Sequence, residues 1–158
     1  MHTRIAFLLA AGLLVPAGLL AAAAPGQAEP EHPCDLVGTV IIGTAGNDVL
    51  VGTPGGDVIR GRGGNDVIIG GGGRDQLFGG AGDDRVEGRG CADRVSGGTG
   101  ADRVSGDEGN DRLRGDAGDA RLRGGPGRDG LNGGAGFDQG NGGPGADACV
   151  LVEVQVSC

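Results

Sequence analysis

Glycine at every ninth position is the feature that most restricts what this chain can fold into. Gly occurs at each ninth residue from Gly43 to Gly142, so that residues 43–150 form twelve contiguous nonapeptides with no insertion. Gly also fills position 4 and Asp fills position 6 in eleven of the twelve units, and Leu, Ile or Val fills position 8 in the first ten. A short fixed period of this kind indicates a solenoid, in which each repeat packs against its neighbours in the chain.

The composition excludes several other architectures. The 158 residues include 39 Gly, 3 Phe and neither Trp nor Tyr, so too few large side chains are present to fill the close-packed core of an ordinary globular enzyme. A collagen helix is excluded because the glycines do not recur at every third residue. Gly-rich disorder would not keep Asp and an aliphatic residue in fixed phase over so many units.

Each position of the nonapeptide has a structural interpretation. Gly at positions 1 and 4, and often 2, favours a tight turn with backbone angles that other residues avoid, and Asp at position 6 closes that turn. Positions 7 to 9 then form a three-residue strand whose position 8 faces inward. Two nonapeptides make one coil, so the twelve half-coils predict an all-β solenoid with coils about 4.8 Å apart. The predicted inward stripe comprises Leu50, Ile59, Ile68, Leu77, Val86, Val95, Val104, Leu113, Leu122 and Leu131.

Three units, GGGGRDQLF, GGAGDDRVE and GGTGADRVS, match the pattern GGxGxDxUx in full, where U is aliphatic. This pattern resembles the calcium-binding nonapeptide of repeats-in-toxin (RTX, or hemolysin-type) proteins. The resemblance implies a parallel β-roll in which each Ca²⁺ lies between same-side turns of adjacent coils, shared by units n and n+2. The chain is similar to small stand-alone, Sec-exported members in bacteria, rather than to RTX segments attached to a protease or lipase domain.

The resemblance also implies which residues bind calcium. Ca²⁺ takes six to eight oxygen ligands, which carboxylates and backbone carbonyls supply. Twelve units offer ten n/n+2 pairs, and Ala120, which replaces Asp in the ninth unit, weakens two of them, so about eight ions are expected. Asp119 lies one position early and is not expected to compensate. The predicted ligands are Asp48, Asp57, Asp66, Asp75, Asp84, Asp93, Asp102, Asp111, Asp129, Asp138 and Asp147, with backbone carbonyls of the turns such as those of Gly43, Gly61, Gly70, Gly79, Gly97 and Gly106.

Calcium binding is expected to be coupled to folding. The chain has a formal net charge of −8, and columns of Asp at coil spacing repel one another unless cations lie between them. Gly-rich turns also lose much conformational entropy when they become ordered. We therefore expect a chain that is unfolded without calcium and folded with it. The alternative is that each Asp only closes its own turn with a hydrogen bond.

The N-terminal region predicts export. Residues 1–28 have the features of a secretory signal peptide, with Arg4 before an uncharged apolar stretch and small residues after it. A secreted, extracellular protein is expected; an uncleaved membrane anchor is the alternative, because the stretch is about long enough to span a bilayer. Residues 29–42 are predicted to be a linker and N-terminal capping strand, and residues 151–158 a C-terminal capping strand. The acidic charge argues against nucleic acid and, after signal cleavage, against membranes as partners.

Four Cys in an exported chain predict two disulfides. Cys149 and Cys158 lie one nonapeptide apart, and residues 151–156 alternate like a closing strand, so a Cys149–Cys158 bridge is expected at the C-terminal end. Cys34–Cys91 then follows by elimination, provided that Cys34 folds back along about three coils. Otherwise both stay free, because a disulfide needs Cα atoms within about 7 Å.

Two sets of outward-facing residues are predicted. Arg at position 7 of five consecutive units gives two ladders, three Arg on one sheet and two on the other: Arg85, Arg94, Arg103, Arg112 and Arg121. We interpret them as a solvated face that offsets neighbouring acids, with an anion- or polysaccharide-binding patch as the alternative. Val49, Val51, Val67 and Ile69 would form an exposed apolar ladder, which needs a cover, either residues 36–42 or a second molecule.

No catalytic arrangement is evident in the sequence. His32 is the only His after the predicted signal peptide, no Ser has a partner base, and the GxGxxG motif at residues 125–130 has Gly-rich flanks rather than a following helix. We therefore expect a calcium-ion-binding protein that is not an enzyme. The alternative is an extracellular structural or adhesive scaffold that self-associates or contacts cell-surface glycans, with calcium only holding the fold together.

Overall fold

The structure, a computed structural model, describes residues 33–155 and residue 158. The predicted signal peptide, residues 1–28, and the first part of the predicted linker, residues 29–32, lie outside the described residues, as do residues 156 and 157. No helix within the described ranges is long and apolar enough to cross a bilayer.

The described part of the chain contains one 3₁₀ turn, Pro33–Asp35, followed only by short strands. The strands are β1 (Val37–Ile42), β2 (Val49–Val51), β3 (Gly56–Gly63), β4 (Val67–Gly71), β5 (Gln76–Ala81), β6 (Arg85–Gly90), β7 (Arg94–Thr99), β8 (Arg103–Glu108), β9 (Arg112–Ala117), β10 (Arg121–Arg123), β11 (Gly130–Ala135), β12 (Gln139–Asn141), β13 (Ala148–Val150) and β14 (Val154–Gln155).

The strands form two seven-stranded parallel sheets, and consecutive strands from β1 to β14 alternate between them. Sheet A has the order β1-β3-β5-β7-β9-β11-β13, and sheet B has the order β14-β12-β10-β8-β6-β4-β2. Neighbouring strands pair residues one coil apart, for example Val86 with Val104 in sheet B and Val95 with Leu113 in sheet A. Each coil therefore contains two nonapeptides, and the predicted parallel β-roll is confirmed.

Most strands are longer than the three residues predicted at positions 7 to 9. Strand β6 has six residues and continues through the first three positions of the next nonapeptide. The pairing continues there because identical coils stack in register, so that Arg89 pairs with Gly71 in one neighbouring coil and Asp107 in the other. The tight turns are therefore confined to the middle of each nonapeptide.

The core is a double row of aliphatic side chains between the two sheets. Nine of the ten residues in the predicted inward stripe are 3% exposed or less: Ile59, Ile68, Leu77, Val86, Val95, Val104, Leu113, Leu122 and Leu131. Leu50 is only half-buried, because β2 lies at the end of sheet B and has one neighbouring strand. Each coil thus contributes two buried side chains, which explains how a chain poor in aromatic residues forms a core.

Glycine serves two different purposes in the repeat. Position 4 has a positive φ from the third to the eleventh nonapeptide, as at Gly64 (95°), and position 2 has one from the third nonapeptide onward, even where the residue is Arg62 (81°). Position 1 does not. A Cβ at Gly61 would lie closer than 3.0 Å to the Asp66 carboxylate and to the carbonyl oxygen of Gly79. The expectation of unusual backbone angles at position 1 is therefore wrong, and close contact between coils explains the glycine there.

The N-terminal segment folds back along one edge of the roll. Cys34, in the 3₁₀ turn, is bonded to Cys91 with a Cα–Cα distance of 5.7 Å, and Asp35 pairs with Arg74 at 3.8 Å. Arg74 and Cys91 belong to the fourth and sixth nonapeptides, whose turns lie on the same side. The predicted Cys34–Cys91 disulfide is confirmed, and we call residues 33–36 the N-terminal strap.

The C-terminal end carries the second predicted disulfide, which is also confirmed. Cys149 and Cys158 have a Cα–Cα distance of 5.9 Å. Between them, β14 pairs with β12 in sheet B. The Glu153 carboxylate accepts a hydrogen bond from the backbone N–H of Asp138 at 2.6 Å, and so takes the place that a position-6 Asp would have in a further coil.

The predicted intramolecular cover of the apolar ladder is wrong. Residues 37–42 form β1, which pairs with β3 in sheet A, whereas the ladder lies on sheet B. Val49 and Val51 remain 73% and 57% exposed. Ile41 pairs with Ile59 and packs against the core, because β1 alternates like the strand of one more nonapeptide and therefore extends sheet A.

Candidate metal centres

The position-6 aspartates form two columns in the interior of the turns. We call the column from even-numbered nonapeptides the even edge and the other the odd edge. Asp48 and Asp147, at the two ends of the repeat region, are half-buried. The other nine are 2% exposed or less: Asp57, Asp66, Asp75, Asp84, Asp93, Asp102, Asp111, Asp129 and Asp138. Buried carboxylates at this density need compensating partners.

One oxygen of each carboxylate has such a partner. In eight of the eleven aspartates the Oδ1 atom accepts a hydrogen bond from the backbone N–H of the Asp one coil earlier, at 2.8–2.9 Å. The Oδ1 atom of Asp57 accepts instead from the Thr39 N–H, and that of Asp138 from the Ala120 N–H. The eight bonds between Asp residues link Asp57 through to Asp147 without interruption on the even edge, and Asp48 to Asp102 on the odd edge. The Asp therefore joins successive coils, whereas the sequence predicted only that it closes its own turn and binds a metal.

The second carboxylate oxygen has no such partner in most of the repeats. Eight Oδ2 atoms are fully buried and accept no hydrogen bond, those of Asp66, Asp75, Asp84, Asp93, Asp102, Asp111, Asp129 and Asp138. A buried acceptor without a partner loses its hydration free energy and gains nothing in return. A cation beside these oxygens would supply the missing interaction.

Backbone carbonyls lie beside the unpartnered oxygens. The place that a Cβ would take at Gly70 is close to both the Asp75 carboxylate and the Gly88 carbonyl oxygen. The same arrangement places five of the six predicted carbonyl ligands next to a position-6 carboxylate, those of Gly61, Gly70, Gly79, Gly97 and Gly106. The sixth, Gly43, belongs to the first turn on its edge, which has no earlier coil among the described residues.

The first two nonapeptides differ from the rest because Thr occupies position 2. The Asp57 Oδ2 atom accepts hydrogen bonds from the backbone N–H of Thr53 at 2.6 Å and from its hydroxyl at 3.1 Å. Thr44 binds Asp48 in the same way, at 2.6 and 3.0 Å. The Oδ2 atoms of these two carboxylates therefore have hydrogen-bond partners in their own turns, unlike those of most later units. The sequence shows that both units begin with Gly-Thr, but it does not by itself indicate that this Thr hydrogen-bonds the Asp of its own turn.

Ala120 interrupts the odd edge. Its backbone N–H donates to Asp138 Oδ1 at 2.9 Å, but its methyl side chain offers no acceptor to the preceding coil, where Asp102 lies. The Asp119 carboxylate accepts a hydrogen bond from the backbone N–H of Phe137 at 2.9 Å and is exposed. Asp119 therefore lies outside the two columns of position-6 Asp residues, as its place one position earlier in the repeat predicts.

Position 5 carries a second, shorter ladder that sequence reasoning missed. Asn47 Oδ1 accepts from the Asn65 N–H at 2.7 Å, Asn65 Oδ1 from the Asp83 N–H at 2.9 Å, and Asp83 Oδ1 from the Ala101 N–H at 2.8 Å. The signal was the recurrence of Asn or Asp at position 5 of the first, third and fifth units. These side chains are exposed, and each bonds the turn of the next coil, so we assign them a structural role.

Burial makes the carboxyl groups of the two Asp columns hard to ionise without a cation. It raises the pKa of Asp75, Asp84 and Asp111 from 3.8 to about 6, and that of Asp93 to about 8. The backbone hydrogen bond to each carboxylate lowers the pKa and partly offsets this effect, whereas neighbouring carboxylates raise it further. A divalent cation between the coils would favour the ionised forms.

The donor set fits a hard cation. Among the described residues, no group of three or more His, Cys, Asp or Glu side chains comes together as a metal site. An ion in the ladder would therefore take at most two side-chain carboxylates and draw its other oxygens from backbone carbonyls. Ca²⁺ accepts such a mixed, all-oxygen set with variable geometry, so the orphaned Oδ2 atoms and adjacent carbonyls are suited to it.

The fold and its acidic turns thus define a calcium-binding β-roll. The model of the RTX calcium-binding nonapeptide repeat matches residues 42–77, 69–104, 92–121, 105–140 and 115–148, which together cover most of the chain. The chain belongs to this family, and the resemblance seen in its sequence is confirmed. No curated protein matches the chain.

Proposed function

We propose that this chain is a secreted, non-enzymatic protein that binds about eight Ca²⁺ between the turns of its β-roll and folds as it does so. The observation that carries the proposal is the set of eight buried Oδ2 atoms without a hydrogen-bond partner, repeated in register along both edges. One unpartnered carboxylate oxygen would be an isolated defect. A regular column of them is typical of a site that a cation completes.

Calcium suits these positions better than magnesium. Mg²⁺ demands near-ideal octahedral geometry and retains several of its waters, whereas Ca²⁺ accepts six to eight oxygens in flexible arrangements. The turns bring position-6 carboxylates close to backbone carbonyls of the neighbouring coil, a mixed oxygen set whose irregular geometry suits Ca²⁺ better than Mg²⁺. When bound, calcium would link neighbouring coils electrostatically, and the carboxylate and carbonyl oxygens of the turns would be its ligands.

Binding and folding are linked through the charge of the columns. Without a cation, the Asp in each coil faces another Asp one coil away, and each must either stay protonated or repel its neighbours. The conformational entropy of the Gly-rich turns adds to this cost. The free energy of calcium binding offsets both, so the calcium-free chain is expected to be largely unfolded at neutral pH.

The test is a titration of residues 29–158 followed by far-UV circular dichroism, with Mg²⁺ as the control ion. We expect a coil-to-β transition at about 10⁻⁴–10⁻³ M Ca²⁺, the range of extracellular modules, and none with Mg²⁺. Native mass spectrometry of the folded form would count the ions. A chain fully β-structured in chelator would contradict coupled folding, and a chain without β signal in either condition would contradict the β-roll itself.

A second candidate function is a self-associating scaffold. It is favoured by the exposed apolar ladder of sheet B, since Val49 and Val51 are left uncovered and are continuous with Val67 and Ile69. Sedimentation in Ca²⁺ would show concentration-dependent dimers that disappear when Val67 and Ile69 are replaced by Glu. Monomers at all concentrations would exclude this function.

A further inference from the structure

The outer face of sheet B carries a cluster of arginines in a groove of about 780 Å³. Arg85, Arg103 and Arg121 pair in register across β6, β8 and β10, while Arg94 and Arg112 pair on sheet A. The predicted division of the ladder into three and two is therefore confirmed. Arg123, at the end of β10, also lines the groove.

The arginines of this groove differ in their partners. Glu87 binds Arg85 at 2.5 Å and Arg89 at 3.4 Å, so these two are neutralised within the sheet. Arg103, Arg121 and Arg123 form no ion pair within the described part of the chain. We call these three exposed residues the arginine triad.

Two members of the triad repel each other, and the acidic residues that also line the groove, Glu87, Asp107 and Glu108, form no ion pair with any of the three within the described residues. Arg103 and Arg121 are direct neighbours in the ladder, and like charges opposite each other destabilise a sheet. The planar guanidinium fork donates two parallel hydrogen bonds to a carboxylate, and it can also donate to two oxygens of a tetrahedral oxyanion. An anionic group placed between these side chains would convert the repulsion into binding.

The net charge of the chain does not describe this surface. Residues 33–158 contain nineteen acidic residues and twelve arginines, but nine of the acidic side chains are buried in the two Asp columns. Ten acidic side chains therefore remain to balance twelve arginines outside the core. The acidic composition of the chain therefore does not exclude an anionic partner at the groove.

The side chains beside the triad indicate what kind of anion fits. Gln139 and Asn141 lie opposite Arg121 and Arg123 in the next coil, and amides hydrogen-bond well to hydroxyl groups. No aromatic side chain lines the groove in the described residues, although stacking on aromatic rings is the usual way in which single-stranded nucleic acids are bound. We infer that the groove binds an acidic polysaccharide along the roll axis, through sulfate or carboxylate groups at the triad and hydroxyls at the amides.

The experiment compares polymers with one backbone and different charged groups. Binding to dextran sulfate, carboxymethyl-dextran and neutral dextran is measured by calorimetry in saturating Ca²⁺, with poly(dT) as the nucleic-acid probe. We expect the charged dextrans to bind, neutral dextran not to bind, and poly(dT) to bind more weakly. The stronger of the two charged dextrans identifies the preferred group.

Two matched double variants test the location. Arg103→Gln with Arg121→Gln removes two charges at position 7 of sheet B, and Arg94→Gln with Arg112→Gln removes the same charges at position 7 of sheet A. We expect at least about a tenfold loss of affinity for the first pair and little change for the second. Circular dichroism confirms that each variant is folded in Ca²⁺.

The outcomes separate this inference from the proposed function. Equal losses in the two double variants would mean that net charge alone drives binding, and would overturn the site. A folded wild type that binds no charged dextran, or that binds poly(dT) more tightly, would overturn the polysaccharide. A chain that does not fold in Ca²⁺ would instead refute the proposed function, and the dichroism would show this directly.

Discussion

Replacing Asp93 by Asn should have opposite effects with and without calcium. Asp93 is buried on the even edge, its Oδ1 accepts the Asp75 N–H at 2.9 Å, and its Oδ2 has no partner. An Asn side chain retains an Oδ1 acceptor for that hydrogen bond but carries no charge. The substitution therefore removes the electrostatic function of the residue while its structural hydrogen bond is kept.

The magnitude without calcium follows from the pKa. Burial raises the pKa of Asp93 from 3.8 to about 8, so at pH 7 folding requires the carboxylate to take up a proton. That uptake costs about 4 kcal/mol of folding free energy, which Asn avoids. In chelator, Asp93→Asn should therefore shift the midpoint of osmolyte-induced β structure, measured by circular dichroism in trimethylamine N-oxide, to lower osmolyte concentration.

With calcium the sign reverses. Asp93 would contribute to the ion positions shared with Asp75 and with Asp111, so the variant should lose about two ions in native mass spectrometry and need more Ca²⁺ to fold. Asp119→Asn is the matched control, since Asp119 is exposed and its hydrogen bond to Phe137 can be kept; it should change neither quantity. If Asp93→Asn destabilised the chain in chelator as well, or if the two variants behaved alike, the electrostatic reasoning would be refuted.

Three further predictions concern the whole roll. In chelator, the β content should increase on acidification, because the carboxyls have higher pKa values in the folded roll than in the unfolded chain. This stabilisation is complete below pH 3.8 and is lost as the pH rises through about 6 to 8. Circular dichroism between pH 4 and pH 8 at roughly 25 °C checks the direction. Ala120→Asp should complete the odd edge and add about two ions by native mass spectrometry; an unchanged count would refute the shared-site arrangement. Replacing Cys34 and Cys91 by Ser should lower the free energy of unfolding in Ca²⁺ by about 4 kcal/mol, and replacing Cys149 and Cys158 should lower it by about 3 kcal/mol, because the first bridge closes the longer loop. Urea unfolding of the two variants would show which loses more.

The periodic part of the molecule was predictable from the sequence. Residues such as Leu77 and Val95 are buried because any stacking of identical nonapeptides brings equivalent positions together, and the period defines those positions without further information. The disulfides followed for a similar reason, since Cys149 and Cys158 are one repeat apart and only two other Cys remained.

The ends and the interior of the turns were not predictable in the same way. β1 joins sheet A rather than covering sheet B, because an end strand is placed by its edge hydrogen bonds, which no repeat specifies. Glu153 replaces a ladder Asp from a position outside the period. The repeat pattern suggests that the glycine at position 1 is needed for its backbone angles. The structure shows that it is needed for close contact instead, since a Cβ at Gly61 would meet the Asp66 carboxylate and the Gly79 carbonyl oxygen of the next coil.

The two disulfides have a consequence for how the roll comes apart. A solenoid held by contacts between neighbouring repeats ordinarily frays from its termini, where each unit has a single neighbour. Here the strap bonded at Cys91 fastens the first coils, and the Cys149–Cys158 bridge fastens the last. Between these cross-links lies the coil of Ala120, the one break in the column of carboxylates within the described repeats. Loss of structure should therefore begin at this interior coil and spread outward.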